Sequence, residues 1–247
     1  MSSVEPAIVA ENLAKSYRRT RAVVDVSLRV DAGEAVGILG ANGAGKTTTV
    51  EMIAGLRVPD HGRVRVLGLD PRHDRARLRQ VLGVQLQQAY LHHALRVTEL
   101  IDLYRSFYPN PRSTEELLSM VDLAEQRRTI FEKLSGGQKQ RLSIALALAG
   151  RPRVVILDEL TTGLDPRARR RMWGTIEQLK SDGVAVLLVS HAMEEVDRLC
   201  DRVVVIDAGR VVAHDTPAGL VAQAAVGNLE EAFVALTGKE LEDAAHE

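Results

Sequence analysis

The stretch Val36 to Val50, VGILGANGAGKTTTV, holds the residues best suited to chemistry. Gly40-Ala41-Asn42-Gly43-Ala44-Gly45-Lys46-Thr47 matches the pattern G-x-x-x-x-G-K-[ST] at every fixed position. Glycines let a backbone curl through positive φ and turn several N–H groups toward one point. A helix opening at Lys46-Thr47-Thr48 adds unpaired donors and partial positive charge. Lys46 supplies a point charge for terminal phosphates, and the Thr47 hydroxyl can ligate magnesium. The loop therefore points to a bound nucleoside triphosphate.

Two further stretches extend this chemistry. The apolar run Val154-Val155-Ile156-Leu157 ends in Asp158-Glu159. Downstream of a phosphate loop, a strand-end aspartate holds the magnesium ion, which makes Asp158 a candidate metal ligand. Glu159 stands where strand gives way to loop and can orient or deprotonate an attacking water. Ser135-Gly136-Gly137-Gln138 is also small, glycine-rich and followed by a helical pattern. It reads as a second anion-binding helix start, although Ser135 is equally a good N-cap for a glycine turn. Two phosphate-seeking helix starts on one chain suggest that two chains share each nucleotide, with one loop from each.

The elements that must position these residues follow from patterning. Ile8-Val9-Ala10 and Val23 to Val30 read as strands, and Asp31-Ala32-Gly33-Glu34 turns the chain into the strand before the phosphate loop. Tyr17, between those strands, is either a packing residue or a stacking platform for an adenine ring. The phosphate-loop helix runs to Ala54, with Gly55 suited to its C-terminal cap. Pro59-Asp60-His61-Gly62 is a turn before a strand at Arg63 to Leu67, and Arg72, Arg75, Arg77 and Arg79 read as a solvated helix face. Val81 to Gln87 resembles a strand ending in glutamines. A helical insert follows, with an amphipathic segment Glu99 to Tyr108 and a capping box at Ser113 to Glu116. Beyond the second glycine-rich motif, Lys139 to Ala149 and Arg167 to Lys180 read as helices. Val184 to Val189 and Val203 to Ile206 read as buried strands, with a helix over His191 to Arg198 between them. Asn228 to Thr237 is a short amphipathic helix before an acidic, frayed end. Strands alternating with helices predict an α/β fold with a mainly parallel sheet.

Composition bounds the partners. The 247 residues can bury a full core, and Lys+Arg 32 against Asp+Glu 33 argues against a protein that grips nucleic acid. One cysteine, Cys200, excludes an internal disulfide framework and fits a reducing cytoplasm. The start MSSVEPAIVAENL has no secretory pattern, and no apolar run reaches the roughly 18 residues of a spanning helix.

The loop GANGAGKT, the string LSGGQKQR, the strand VVILDE, then TTGLD and a histidine after the next buried strand together resemble the ATP-binding subunit of an ABC transporter. The resemblance covers almost the whole chain in the family's motif order. It implies a phosphate-loop NTPase core with a mainly parallel sheet, an N-terminal antiparallel β subdomain and a helical subdomain insert. It further implies an ABC-type domain over 1–225, with the helical subdomain at about 88–137, and a C-terminal helix and acidic tail over 226–247. ATP and Mg2+ are the implied cofactors. The implied partners are a second copy of the chain in an ATP sandwich and integral-membrane permease subunits. The implied place is the inner face of the cell membrane.

Residue by residue, Tyr17 resembles the aromatic that stacks on adenine. Gln87 falls where the family's Q-loop glutamine touches magnesium and the attacking water, with Gln85 and Gln88 beside it. Ser135 and Gly137 would contact the γ-phosphate of the nucleotide held by the other protomer. Asp165 resembles the aspartate that crosses the dimer interface, and His191 the switch histidine at the γ-phosphate. One departure stands out: Leu160 follows Glu159 where the family usually has proline. Loss of the ring frees φ and restores an N–H, which predicts a less rigid loop.

The stretch LGVQLQ, the segment Phe107-Tyr108-Pro109 and the end NLEEAF with LTGKE resemble bacterial exporters of drugs, antibiotics, polysaccharides or lipids. Two other readings stay open at this point. One is an ABC ATPase acting in DNA repair or translation, which usually needs two nucleotide domains or a long coiled coil. The other is a nucleotide-binding regulator with little turnover, which Leu160 keeps in view.

Overall fold

Apolar runs too continuous for a half-buried strand need a sheet covered on both faces, and the chain builds one. The computed structural model describes residues 6–86 and 91–239. The elements are β1 (Ile8–Tyr17), β2 (Thr20–Val30), β3 (Ala35–Leu39), α1 (Lys46–Ile53), β4 (His61–Val66), α2 (Arg75–Val81) and β5 (Leu82–Gln85). A helical stretch follows, with α3 (Val97–Arg105), α4 (Thr114–Met120), a 3-10 turn (Phe131–Lys133) and α5 (Gly136–Leu148). Then come β6 (Val154–Asp158), α6 (Pro166–Ser181), β7 (Ala185–Val189), α7 (Met193–Leu199), β8 (Arg202–Asp207), β9 (Arg210–Asp215), α8 (Pro217–Ala224) and α9 (Leu229–Thr237).

The strands form one nine-stranded sheet in the order β4-β1-β2-β9-β8-β3-β7-β6-β5. The pairs β3–β7, β3–β8, β6–β7 and β5–β6 are parallel. The amino-terminal part, β4-β1-β2, is antiparallel and joins the rest through Asp25 beside Arg210. Alternation explains the runs: Val155 and Leu157 of β6 enter one core with α5 and α6, while Val154 and Ile156 enter the other with α1. In a parallel sheet covered on both faces, every position of a central strand is apolar.

The expected elements shift in places. Val81 closes α2 rather than opening a strand, and β5 ends at Gln85. The strand expected at Arg63 starts earlier, at His61, because its first residues pair with β1. The capping box at Ser113 is half formed. Ser113 Oγ accepts from Glu116 N, but the Glu116 carboxylate turns to Arg112 and Arg151. The helix expected from His191 starts at Met193, because Ala192 N donates to Ser190 Oγ at 3.1 Å and holds a turn there. Asp207-Ala208-Gly209-Arg210 reads as a hairpin turn and does join β8 to β9, whereas α8 was not foreseen. Beyond α8, α9 carries an Asn228 cap and buries Leu229 and Phe233 in the same core as α5 and α6. The arginines Arg72, Arg75, Arg77 and Arg79 are exposed as expected.

Candidate nucleotide site

Three parallel neighbours, β3, β7 and β6, deliver their carboxyl ends side by side, and Gly40, Ser190 and Glu159 leave from those ends. Ligands of open parallel sheets bind at such ends. After β3 the chain turns through Ala41 to Ala44, where Ala44 N donates to Ala41 O at 3.1 Å. Asn42, Gly43 and Thr47 are exposed, while Gly40 and Ala44 are buried. Glycine is needed at two positions for different reasons. A Cβ on Gly40 would stand 2.4 Å from the Ile206 carbonyl, and Gly45 combines φ +104 with 2.4 Å to the Ala22 carbonyl. No side chain caps α1 among the described residues, so the N–H groups from Lys46 to Thr48 face the loop.

The Lys46 ammonium donates to Gly40 O at 2.7 Å and Ala41 O at 3.1 Å. Burial lowers its pKa, while the Asp158 and Glu159 carboxylates hold it up. Asp158 is 4 % exposed, and its carboxyl is pushed up to about 6 by burial and by Glu159, against the pull of Lys46. Glu159 lies in the left-handed region at φ 54, a conformation uncommon for a side chain of its size. Its N–H donates to Val189 O of β7 at 2.8 Å. His191 Nδ1 lies 3.9 Å from Glu159 Oε1, which places the expected histidine beside the expected base. Leu160 is fully buried among core side chains, so an apolar anchor stands where the missing ring had predicted a looser loop.

Ser135 starts α5 with a reciprocal box: Gln138 N donates to Ser135 Oγ, and Ser135 N donates to Gln138 Oε1 at 2.9 Å. Ser135 and Gly136 are exposed. A Cβ on Gly137 would lie 2.9 Å from the Gly163 carbonyl, so α5 meets the loop after Glu159 closely. Asp165 caps α6 by accepting from Arg167 N and Ala168 N, which lowers its pKa. Tyr17 ends β1 and is 37 % exposed, and the Lys15 ammonium and the Arg57 guanidinium each lie 5.8 Å from its ring centroid. Gln87 lies outside the described residues.

Two residues to which the sequence reading gave no role of their own belong to this neighbourhood. Gln85, 2 % exposed, accepts from Asp158 N at 3.2 Å, and Gln140 Nε2 donates to Glu159 O at 2.8 Å. The only sequence signal was position: Gln85 ends a strand, and Gln140 follows Gln138 on the same helix.

A phosphate loop, a buried acidic strand end and a second helix start presented outward define an ATP-binding cassette. Residues 23–162 match the ABC transporter family, and the chain belongs to it. It is 35 % identical over 238 residues to the linearmycin resistance ATP-binding protein LnrL of Bacillus subtilis, covering 91 % of this chain and 76 % of that protein. It is 40 % identical over 221 residues to the Nod factor export ATP-binding protein I of Rhizobium etli, covering 87 % and 70 %. It is 38 % identical over 224 residues to the daunorubicin resistance ATP-binding protein DrrA3 of Streptomyces coeruleorubidus, covering 89 % and 71 %. Its fold matches an ATP-binding subunit of an ABC transporter with TM-score 0.85 at 28 % identity, covering 93 % of this chain and 99 % of that one. It also matches a dimeric post-hydrolysis cassette bound to ADP and Pi, with TM-score 0.78 at 27 % identity over 85 % and 98 %. This chain is an ATPase whose ATP hydrolysis energises transport through a membrane permease. Among the described residues, no helix is long and apolar enough to cross a membrane.

Proposed function

We propose that two copies of this chain close over two ATP molecules and energise a separate permease that exports a drug, antibiotic, lipid or polysaccharide. The observation that carries this is the gathering of Lys46, Asp158, Glu159 and His191 at the ends of three adjacent parallel strands. The export class rests on the relatives, which are ATP-binding proteins of antibiotic resistance and of Nod factor export. That similarity also favours transport over DNA repair, translation or a silent regulator.

In this reading the N–H groups from Gly43 to Thr48 and the Lys46 ammonium hold the β- and γ-phosphates. Tyr17 stacks on the base, using its exposed face. Ser135 and Gly137, presented outward on α5, reach the nucleotide of the partner copy, with Gly136 and Gln138 shaping that turn and Asp165 lying at the shared interface. Glu159 takes the proton of the attacking water, and His191 contacts the γ-phosphate. Gln87 is assigned to the attacking water and the metal through the family pattern. The donor set suits magnesium: one buried carboxylate, Asp158, one exposed hydroxyl, Thr47, and room for phosphate oxygens. When bound, the ion would neutralise charge on the transferring phosphoryl group.

An apolar groove lined by Leu56, Val84, Leu86, Tyr104 and Tyr108 opens beside Gln85, with Leu56 60 % and Phe107 59 % exposed near it. We assign this face to the permease, and the family pattern supports a place on the cytoplasmic side of the membrane. The domain division is 1–225, with a helical subdomain near 88–137, followed by 226–247. The test is a pair of variants. Glu159→Gln should keep ATP binding, nearly abolish hydrolysis and accumulate an ATP-bound dimer in size-exclusion chromatography. Ser135→Arg should bind ATP as a monomer without turnover. Wild-type hydrolysis by either variant would refute the corresponding role.

A further inference from the structure

Glu159 must aim a carboxylate from a backbone conformation that few non-glycine residues hold unaided. Three hydrogen bonds hold its backbone. On its amino side, Glu159 N donates to Val189 O of β7 at 2.8 Å. On its carbonyl side, Gln140 Nε2 donates to Glu159 O at 2.8 Å, and a third, longer bond reaches the same oxygen from Thr162 N at 3.4 Å. The first bond belongs to the sheet. The second comes from a side chain on α5, the helix that begins with Ser135-Gly136-Gly137. A proline at 160 would restrict the peptide that joins it to Glu159. Leu160 imposes no such ring, and its side chain anchors only its own position in the core. Thr162 lies in the same loop and its bond is the longer, so the Glu159–Leu160 peptide is tied to the rest of the fold through Gln140.

We infer that Gln140 is a positioning residue for Glu159: its amide fixes the Glu159 carbonyl and so aims the carboxylate at the water beside the γ-phosphate. This rests on Glu159 being the base. A second contact runs the same way, because Gly137 packs against the Gly163 carbonyl of the same loop. The helix whose start reaches the partner's nucleotide therefore sets the geometry of its own copy's base.

The test separates aim from packing. Gln140→Met keeps the length of the side chain and removes the donor. It should lower kcat by about 10- to 100-fold, as a misplaced catalytic group does, with KM for ATP within about twofold. Gln140→Lys retains an N–H donor and should recover most of the loss. In the Glu159→Gln background, adding Gln140→Met should leave the yield of ATP-bound dimer unchanged. A kcat within about threefold of wild type for Gln140→Met overturns the assignment, as does loss of the trapped dimer in the double variant. Inactive Glu159→Gln beside fully active Gln140→Met refutes the role of Gln140 alone, whereas active Glu159→Gln removes the base and this inference together.

Discussion

The side-chain carbonyl of Gln85 accepts the backbone N–H of Asp158 at 3.2 Å, and both residues are buried. The bond ties the end of β5 to the end of β6, one residue before Glu159. The Gln85 amide is used as well, donating to Leu86 O at 3.2 Å. Gln85→Leu keeps the bulk and leaves the Asp158 N–H without this acceptor. A buried unpaired donor costs about 1–3 kcal/mol, so the urea midpoint should fall with an unchanged m-value. ATP hydrolysis should fall with it, because the strand end that carries Asp158 and Glu159 loses its support.

The two kinds of glycine in the phosphate loop should respond differently. Gly45→Ala meets both a positive φ and the Ala22 carbonyl, so the loop must move. Its ATP affinity, read by calorimetry, should fall by more than about tenfold, or roughly 1.4 kcal/mol. Gly43 has φ +78 and open space around a Cβ. Gly43→Ala carries only the conformational cost, about 1 kcal/mol, and should bind ATP more tightly than Gly45→Ala.

Asp158 predicts a pH dependence for the nucleotide-free protein in chelator. Its carboxyl is raised from 3.8 to about 6 in the fold. Below 3.8 both folded and unfolded chains carry the proton. Between the two values the folded chain keeps it while the unfolded chain releases it, so stability declines as pH rises and the full cost is present above about 6. Asp158→Asn removes this ionisation. Relative to wild type it should gain about 3 kcal/mol between pH 4 and pH 7, measured by urea unfolding at each pH. Equal pH profiles for the two proteins would remove the buried charge from the account.

Leu160 should matter to stability more than its loop position suggests. Its side chain is fully buried in the core that includes Leu157 and Leu164. Leu160→Ala leaves a cavity and should cost about 2–4 kcal/mol in chemical denaturation. A loss under about 0.5 kcal/mol, the size of an ordinary surface change, would mean that the anchor is dispensable.

The groups proposed to bind phosphate and metal were legible in the amino-acid sequence by itself. Gly40 to Thr47, Ser135 to Gln138 and Asp158-Glu159 are contiguous stretches whose residue types state their chemistry. The buried strands were legible for a similar reason, since a strand covered on both faces has no polar positions to hide it. What depended on distant segments was not legible. The order β3-β7-β6 places His191 next to Glu159, and no local pattern encodes which strand lies beside which. The same holds for the positive φ of Glu159 and for its bond from Gln140, 19 residues earlier on α5. Hydrogen bonds of a buried peptide are completed by whatever the packed elements bring near it. Tertiary structure alone therefore decided how the proposed base is held, while the sequence had already declared an acidic strand end and a phosphate cradle.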